Sequence, residues 1–326
     1  MDNSTVLLEN EGPLNSPGFM AYSLLLAVVT IVASIVIGFT ILALLMATSI
    51  PRPVRIFLIN LLFAGLVVAV ALMFMLGSAS VLINSSSNDP RPRYLCRVYL
   101  WAFGSGVVAR LWNLAAFSLH ILAIVRFGKK TISMWCAAVV ILVLWLAPMF
   151  ITLYILLPYI YEAQFVHGVA CFPDNNRTII VQARYTFLAT WTIFGGLTPL
   201  TVSIIVPIVC LCYVARNIVT EGAQYRKGMA KFSLFLVVGG SINFAGQIIP
   251  GLEALNAAAP GVYLSYGCAV ISLLPTPIII MVFLKPVREE VKKILTCGQL
   301  STRAKELKSG TGTSCDATGS VSLEKV

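Results

Sequence analysis

Charged residues are scarce in this chain. Of its 326 residues, 11% are Asp, Glu, Lys or Arg, while 58% are hydrophobic and the mean hydropathy is +0.90. A soluble domain of this size could not cover its surface with so little charge. The composition therefore excludes a soluble globular protein and predicts a polytopic membrane protein.

Residue sets that carry enzyme chemistry inside a membrane are missing too. All four Asp lie in predicted tails and loops, which excludes an intramembrane aspartyl protease with two Asp in its spans. His120 and His167 are the only histidines, so the sequence holds no H-E-x-x-H zinc helix. The last apolar run has no Lys for a retinal Schiff base. We therefore expect no enzyme and no cofactor.

The hydrophobic residues fall into seven runs of membrane-spanning length. The runs are 22–48, 55–83, 97–127, 133–158, 186–215, 232–251 and 261–284. The prediction is an all-α membrane protein, a seven-transmembrane helix bundle over residues 22–284 with an N-terminal tail at 1–21. The first twenty residues lack Lys, Arg and a cleavage pattern, so the first span is expected to be an uncleaved signal anchor.

Lys and Arg are concentrated on one side of these runs, which is predicted to be cytoplasmic. The N-terminus is then extracellular. The glycosylation sequons at Asn3, Asn84 and Asn176 all lie on the outer side, in agreement with this topology. Because the excess of Lys and Arg lies on the predicted cytoplasmic side, where membrane proteins usually carry it, this excess does not indicate nucleic acid binding.

The third run is the most informative part of the sequence. Between Arg97 and Phe127 it has no proline, and a helix of that length reaches roughly 46 Å, enough to cross the membrane with its headgroup layers. Arg110, Asn113 and His120 recur at helical spacing and share one face. Polar groups at this depth are costly, so the face is expected to point toward protein or water.

Buried polar residues in the spans need partners. Asn60 is expected to hydrogen-bond to a neighbouring helix. For Arg110 we expect a structural partner on the sixth helix or the anionic group of a ligand. The candidates on that helix are Asn243, Gln247 and Glu253.

Eight cysteines are present, and six of them lie in apolar runs or in the cytosolic part. Cys96 and Cys171 remain as the outer pair. A disulfide between them would stabilise the chain by about 4 kcal/mol and hold the second outer loop over the bundle.

The chain after the seventh run is predicted to form an amphipathic helix on the inner leaflet, residues 285–297, because the apolar residues of this stretch recur at helical spacing between charges. These residues are Val287, Val291, Ile294 and Leu295. Cys297 beside it is a candidate for palmitoylation. Residues 298–326, rich in Ser, Thr, Gly and Lys, are predicted to be a disordered cytoplasmic tail whose hydroxyls are candidates for phosphorylation.

These features together resemble the rhodopsin-like G-protein-coupled receptors. The resemblance covers residues 20 to 297 and includes seven spans, the outer Cys96 and Cys171 pair, Arg126 at the inner end of the third span, and an eighth helix. From Pro277 to Leu295 the spacing looks most like odorant-type receptors.

The sequence also departs from that family's pattern. Gly65 stands where the family has an Asp, so the usual internal sodium site is expected to be absent. Val125 replaces the acid before Arg126, which therefore lacks that resting-state partner. The other departures are Phe39, Ile248, Thr276 and Ile280.

The resemblance implies a plasma-membrane receptor that binds an extracellular small molecule, odorant-like in type, and signals to a heterotrimeric G protein. An arrestin-like partner at the phosphorylated tail and membrane lipids are the other implied partners. The implied ligand-binding residues are Trp101, Ser105, Trp112, Asn113, Gln247, Ile248, Glu253 and Tyr266. The implied G-protein contacts are Arg126, Lys129, Lys227 and Lys231.

Two alternatives remain open at this point. Arg126 is also explained as an ordinary inner-side cation like Lys129. A transporter or channel is the second function to consider, because Arg110, Asn113 and His120 could line a polar path. Against it, the sequence shows no internal repeat and no pair of broken helices.

Overall fold

The computed structural model describes residues 17–82, 91–127, 133–160, 163–166, 170–173, 191–216, 226–241 and 267–308. Nearly all of this part is helical. The first four helices are α1 (Pro17–Met46), α2 (Arg52–Leu82), α3 (Arg91–Phe127) and α4 (Met134–Ile160). Each covers one of the first four apolar runs, which confirms their prediction as helices.

The remaining elements follow in chain order. A short antiparallel hairpin of β1 (Ala163–Val166) and β2 (Ala170–Pro173) follows α4. Helix α5 begins with a π-helical stretch, Trp191–Leu197, and continues as Thr198–Arg216. Residues 226–241 are helical and are called α6 below. Helix α7 comprises residues 267–271, a turn at 272–274, and Pro275–Phe283, and α8 is Lys285–Lys308.

Five of the described helices are long and apolar enough to cross a membrane, or up to six if the bent pair formed by α7 and the first part of α8 counts as one span. Helix α3 lies at the centre of the bundle. Of its most apolar stretch, 72% is buried inside the bundle, compared with 17% for the most apolar stretch of α4. Helices α2, α4 and α5 and both strands pack against α3. Helix α1 packs against α2, α7 and α8.

Two boundaries differ from the prediction. Helix α1 begins at Pro17, within the predicted tail 1–21, because proline at the first turn has no N–H to leave unpaired. Helix α8 does not end at residue 297 but continues to Lys308, so the tail prediction is wrong for 298–308. The stretch from Arg303 to Lys308 consists of strong helix formers, which explains the continuation.

Helix α8 turns away from α7 at an angle of 103°. Val287 is fully buried, and Val291 and Ile294 pack against the core, so the predicted apolar face of α8 is confirmed at these three positions and wrong at the fourth, Leu295. Leu295, by contrast, is 67% exposed. The helix therefore packs with one face against the end of the bundle that is predicted to be the inner one.

The connection between α1 and α2 is held by a cation at a helix end. The Arg55 guanidinium donates to the carbonyl oxygens of Leu45 and Ala47, both at 3.3 Å. The Leu45 carbonyl belongs to the last turn of α1 and the Ala47 carbonyl follows directly after it, at the end where the helix dipole favours positive charge. Arg55 therefore has a structural role as well as its place on the predicted inner side.

Candidate functional site

Arg110 links α3 to α7 in the middle of the bundle. Its Nη2 atom donates to the Ser272 carbonyl at 2.7 Å and to the Thr276 hydroxyl at 2.9 Å. Its Nη1 atom lies 3.5 Å from the Ser272 hydroxyl oxygen. The side chain is 4% exposed, so this is a buried cation hydrogen-bonded to neutral oxygens.

These partners lie on a different helix from the one predicted. The sequence pointed to Asn243, Gln247 and Glu253, which lie outside the described residues. Nothing in the sequence pattern of α3 indicated α7, because the contact depends on how the two helices pack. The prediction that Arg110 pairs within the protein is confirmed, with the partners on α7.

Two prolines open α7 at the level of Arg110. Pro275 and Pro277 have no N–H, so they cannot donate to the carbonyls four residues before them. Next to them, the N–H groups of Leu273 and Leu274 donate to the carbonyls of Val270 and Ile271, three residues back, where a regular α-helix uses the carbonyls four residues back. The regular helix is broken at residues 272–274, and the Ser272 carbonyl accepts its hydrogen bond from Arg110.

A second polar cluster joins three helices. The Trp145 indole N–H on α4 donates to the Asn60 side-chain oxygen on α2 at 2.7 Å. The Asn60 amide nitrogen donates to the Asn113 side-chain oxygen on α3, and Asn113 donates to the Ala109 carbonyl at 2.8 Å. The prediction that Asn60 bonds to a neighbouring helix is confirmed. Asn113 has the same structural role, since it is fully buried.

His120 has no such partners. Its ring is 1% exposed, and both ring nitrogens lie without a hydrogen-bond partner among the described residues. The Phe57 ring is its aromatic neighbour, with 5.2 Å between the centroids. The predicted face of α3 therefore consists of two hydrogen-bonded polar residues, Arg110 and Asn113, and of His120, which has no such bond among the described residues.

Two side chains on the part of α3 that is predicted to be outer bond to α4. The Trp101 indole donates to the Met149 carbonyl at 3.2 Å, and the hydroxyls of Ser105 and Thr152 lie 2.8 Å apart. These two predicted ligand-binding residues thus connect α3 to α4. The other predicted ligand contacts Gln247, Ile248, Glu253 and Tyr266 lie outside the described residues.

Trp112 bonds to the π-helical stretch of α5. Its indole donates to the Phe194 carbonyl at 3.1 Å. Pro199 follows this stretch and cannot donate to the Gly195 carbonyl, so a regular α-helical turn is not available there. Such wide turns are common at functional sites. Hydrophobicity did not predict this π-helical stretch, although Pro199 indicates that a regular helix is interrupted there.

Helix α6 approaches its neighbours through two adjacent glycines. A Cβ atom at Gly240 would lie 2.5 Å from Leu114 Cδ2 on α3. One at Gly239 would lie 3.0 Å from Ile279 Cδ1 and 3.2 Å from Pro275 Cβ on α7. The pair Gly239-Gly240 therefore lets α6 sit close to α3 and α7 at once, a role that the sequence analysis did not assign.

The inner ends of α3 and α6 carry the predicted G-protein contacts. Arg126 is exposed next to the fully buried Val125, and its guanidinium carbon is 5.5 Å from the centre of the Phe127 ring. Lys227 is exposed and Lys231 is half-buried, whereas Lys129 lies outside the described residues.

The predicted modification sites are not among the described side chains. This applies to Asn3, Asn84 and Asn176 and to Cys297. The side chains of Cys96 and Cys171 are also outside the description, so their disulfide stays a prediction. Cys171 is paired with Phe165 in the hairpin, and the hairpin packs against α3, the helix that carries Cys96.

Comparison with known proteins gives a fold but no close relative. No protein-family model matches the sequence, and no curated protein matches it. Among solved structures, squid rhodopsin is similar with a TM-score of 0.70 and 16% sequence identity, over 94% of this chain and 91% of that one. Similarity at this identity establishes architecture alone. This chain thus has the seven-helix membrane fold of the rhodopsin-like G-protein-coupled receptors.

Proposed function

We propose that this chain is a G-protein-coupled receptor of the plasma membrane, with its N-terminus outside the cell. It binds a small extracellular molecule, odorant-like in type, in the outer half of the bundle and signals to a heterotrimeric G protein at the inner ends of α3 and α6. The observation that carries this proposal is the exposed Arg126 at the inner end of the central helix of a rhodopsin-like fold.

The inner surface suits such a partner. Arg126, Lys227 and the half-buried Lys231 lie near the ends of α3 and α6, and a guanidinium forms strong, directional bonds with backbone carbonyl or carboxylate groups. Helix α6 packs against α3 through Gly240 and Leu114, where little side-chain volume separates the helices. A shift of α6 against α3 is therefore a plausible route for ligand binding to reach the inner surface.

The outer half offers a matching place for a ligand. Trp112 lies on α3 beside the π-helical stretch of α5, whereas the Trp101 indole and the Ser105 hydroxyl bond to α4. An apolar, aromatic lining with a few polar groups suits a small organic molecule. Gln247, Ile248, Glu253 and Tyr266 complete the proposed lining on the sixth and seventh spans.

The experiment compares Arg126→Ala with Arg52→Ala, a second exposed arginine on the inner side. Cells expressing each variant are first matched for surface expression, then exposed to a panel of volatile organic molecules and read with a G-protein reporter. We expect Arg126→Ala to abolish basal and ligand-driven signalling and Arg52→Ala to retain it. Full signalling by Arg126→Ala would refute the assignment of Arg126.

The structure gives little support to a transporter or channel. Arg110, Asn113 and His120 are 4%, 0% and 1% exposed, so these three described residues do not line an open path. Measuring substrate flux with the reconstituted protein tests this alternative directly. Flux without any requirement for a G protein would overturn the receptor proposal.

A further inference from the structure

Arg110 carries a charge that the described protein does not balance. The three hydrogen bonds of its guanidinium all go to neutral oxygens of Ser272 and Thr276. The seven predicted spans contain no Asp or Glu, and among the described residues no carboxylate bonds to Arg110. A buried charge is strongly unfavourable unless it is paired.

The broken α7 compensates only part of this charge. The guanidinium lies at the C-terminal end of the helical residues 267–271, where the backbone carbonyls supply a partial negative charge. A helix end is equivalent to about half an elementary charge. A net positive charge therefore remains at the contact between α3 and α7.

Unused donors surround this charge. A guanidinium has five N–H donors, and two of those of Arg110 have no acceptor among the described residues. The Thr276 hydroxyl accepts from Arg110, so its own hydrogen stays available. The Ser272 hydroxyl, by contrast, donates to the Ala269 carbonyl at 2.6 Å. Positive charge with spare N–H and O–H donors is the chemistry of an anion site.

We propose that the Arg110 guanidinium and the Thr276 hydroxyl form an internal site for one small monovalent anion, between α3 and α7. Because Arg110 is only 4% exposed, the site takes an ion of chloride size or a single carboxylate group. The anion completes the electrostatic balance of the contact and so stabilises the folded bundle. This inference does not depend on G-protein coupling.

The test measures thermal unfolding of the purified full-length protein in detergent. Sodium isethionate, whose sulfonate anion is larger than chloride and carries no carboxylate, is replaced stepwise by sodium chloride at constant ionic strength. We expect a saturable rise in unfolding temperature of about 2 °C or more. Replacing sodium by choline in chloride should change nothing.

Separate titrations with chloride and with formate distinguish the source of the anion. A rise with chloride supports a free ion, and a rise with formate alone supports the carboxylate of an organic ligand. No rise with either anion would overturn the proposal.

The variants assign the effect to Arg110. Arg110→Gln should lose the anion dependence and Arg110→Lys should keep part of it, while Arg52→Gln, changed at an exposed position, should keep all of it. A full anion effect in folded Arg110→Gln would refute the site. Should Arg110→Gln not fold, Thr276→Val serves in its place, and we expect its half-saturating chloride concentration to rise about tenfold, as loss of one charge-assisted hydrogen bond implies. An unchanged half-saturation in Thr276→Val would then refute the site.

Discussion

The Trp145 indole nitrogen lies 2.7 Å from the Asn60 side-chain oxygen and donates a hydrogen bond from α4 to α2. Asn60 in turn donates to Asn113, so one amide connects α2 with both neighbouring helices. Helix α4 buries little of its surface, which makes this polar bond an important part of its attachment to the bundle.

Trp145→Phe removes the indole N–H and retains most of the aromatic contact with Phe63. We expect a loss of about 0.6 to 1.7 kcal/mol in unfolding free energy, the usual value of an interhelical hydrogen bond in a membrane protein. Thermal unfolding in detergent measures it. Asn60→Leu combined with Trp145→Phe should cost less than the sum of the two single variants, and strict additivity would show that the bond does not contribute.

Gly106 allows a close approach of α3 to α2. A Cβ atom there would lie 2.9 Å from Val68 Cγ2 and 3.4 Å from the Val68 backbone nitrogen. Since valine is stiff and the backbone cannot yield easily, Gly106→Ala should cost about 1 to 3 kcal/mol.

Gly38→Ala is the matched control, because nothing lies within 4 Å of a Cβ atom at Gly38 in α1. That variant should unfold at the wild-type temperature or slightly higher, since alanine favours a helix. Equal effects of the two substitutions would contradict the close packing of α2 and α3.

Gly240→Ala should also destabilise the protein, but by a different amount, because its neighbour is the end of a flexible side chain, Leu114 Cδ2 at 2.5 Å. We expect a loss at the lower end of about 1 to 3 kcal/mol. Leu114→Ala alone leaves a cavity, with a cost of about 2 to 5 kcal/mol.

The two substitutions should compensate each other, because the new methyl group enters the space that Leu114 leaves. The double variant should therefore lose less stability than the sum of the single variants. A loss equal to that sum in thermal unfolding would mean that α6 does not pack against Leu114.

His120→Phe should stabilise the protein, unlike the other substitutions. Both ring nitrogens of His120 lack a partner among the described residues, and an unsatisfied buried polar group costs about 1 to 3 kcal/mol. Phenylalanine keeps a ring beside Phe57 without polar atoms. A clear fall in unfolding temperature would reveal a polar partner or water that binds His120.

Most of the fold could be predicted from hydrophobicity and spacing. The length of α3, the seven runs and the apolar face of α8 follow from local patterns, and the deep position of Asn60 made an interhelical bond expected. The sequence could not place Arg110 against α7, because that contact depends on a break at Pro275 and Pro277 and on which helix lies opposite. It also could not show that Gly239-Gly240 faces two helices, since close approach is a property of the packed bundle.

The predicted end of α8 at residue 297 was wrong for a related reason. Charged residues after Gln299 suggested a solvated tail, although Arg, Lys, Glu and Leu are also strong helix formers. The composition of this stretch therefore fits both a solvated tail and a helix. The structure decides for the helix, because the stretch continues the part of α8 that packs against the bundle at Val287.

The arginine at the middle of α3 also governs what can move through the interior. A fixed positive charge at mid-depth opposes any permeating cation, and the predicted spans hold no acidic side chain that would lower this barrier. Where no anion is bound beside Arg110, protons and sodium ions are therefore repelled from the centre of the bundle. In the proposed receptor, ligand binding would then be passed on by movement of helices without a leak of cations.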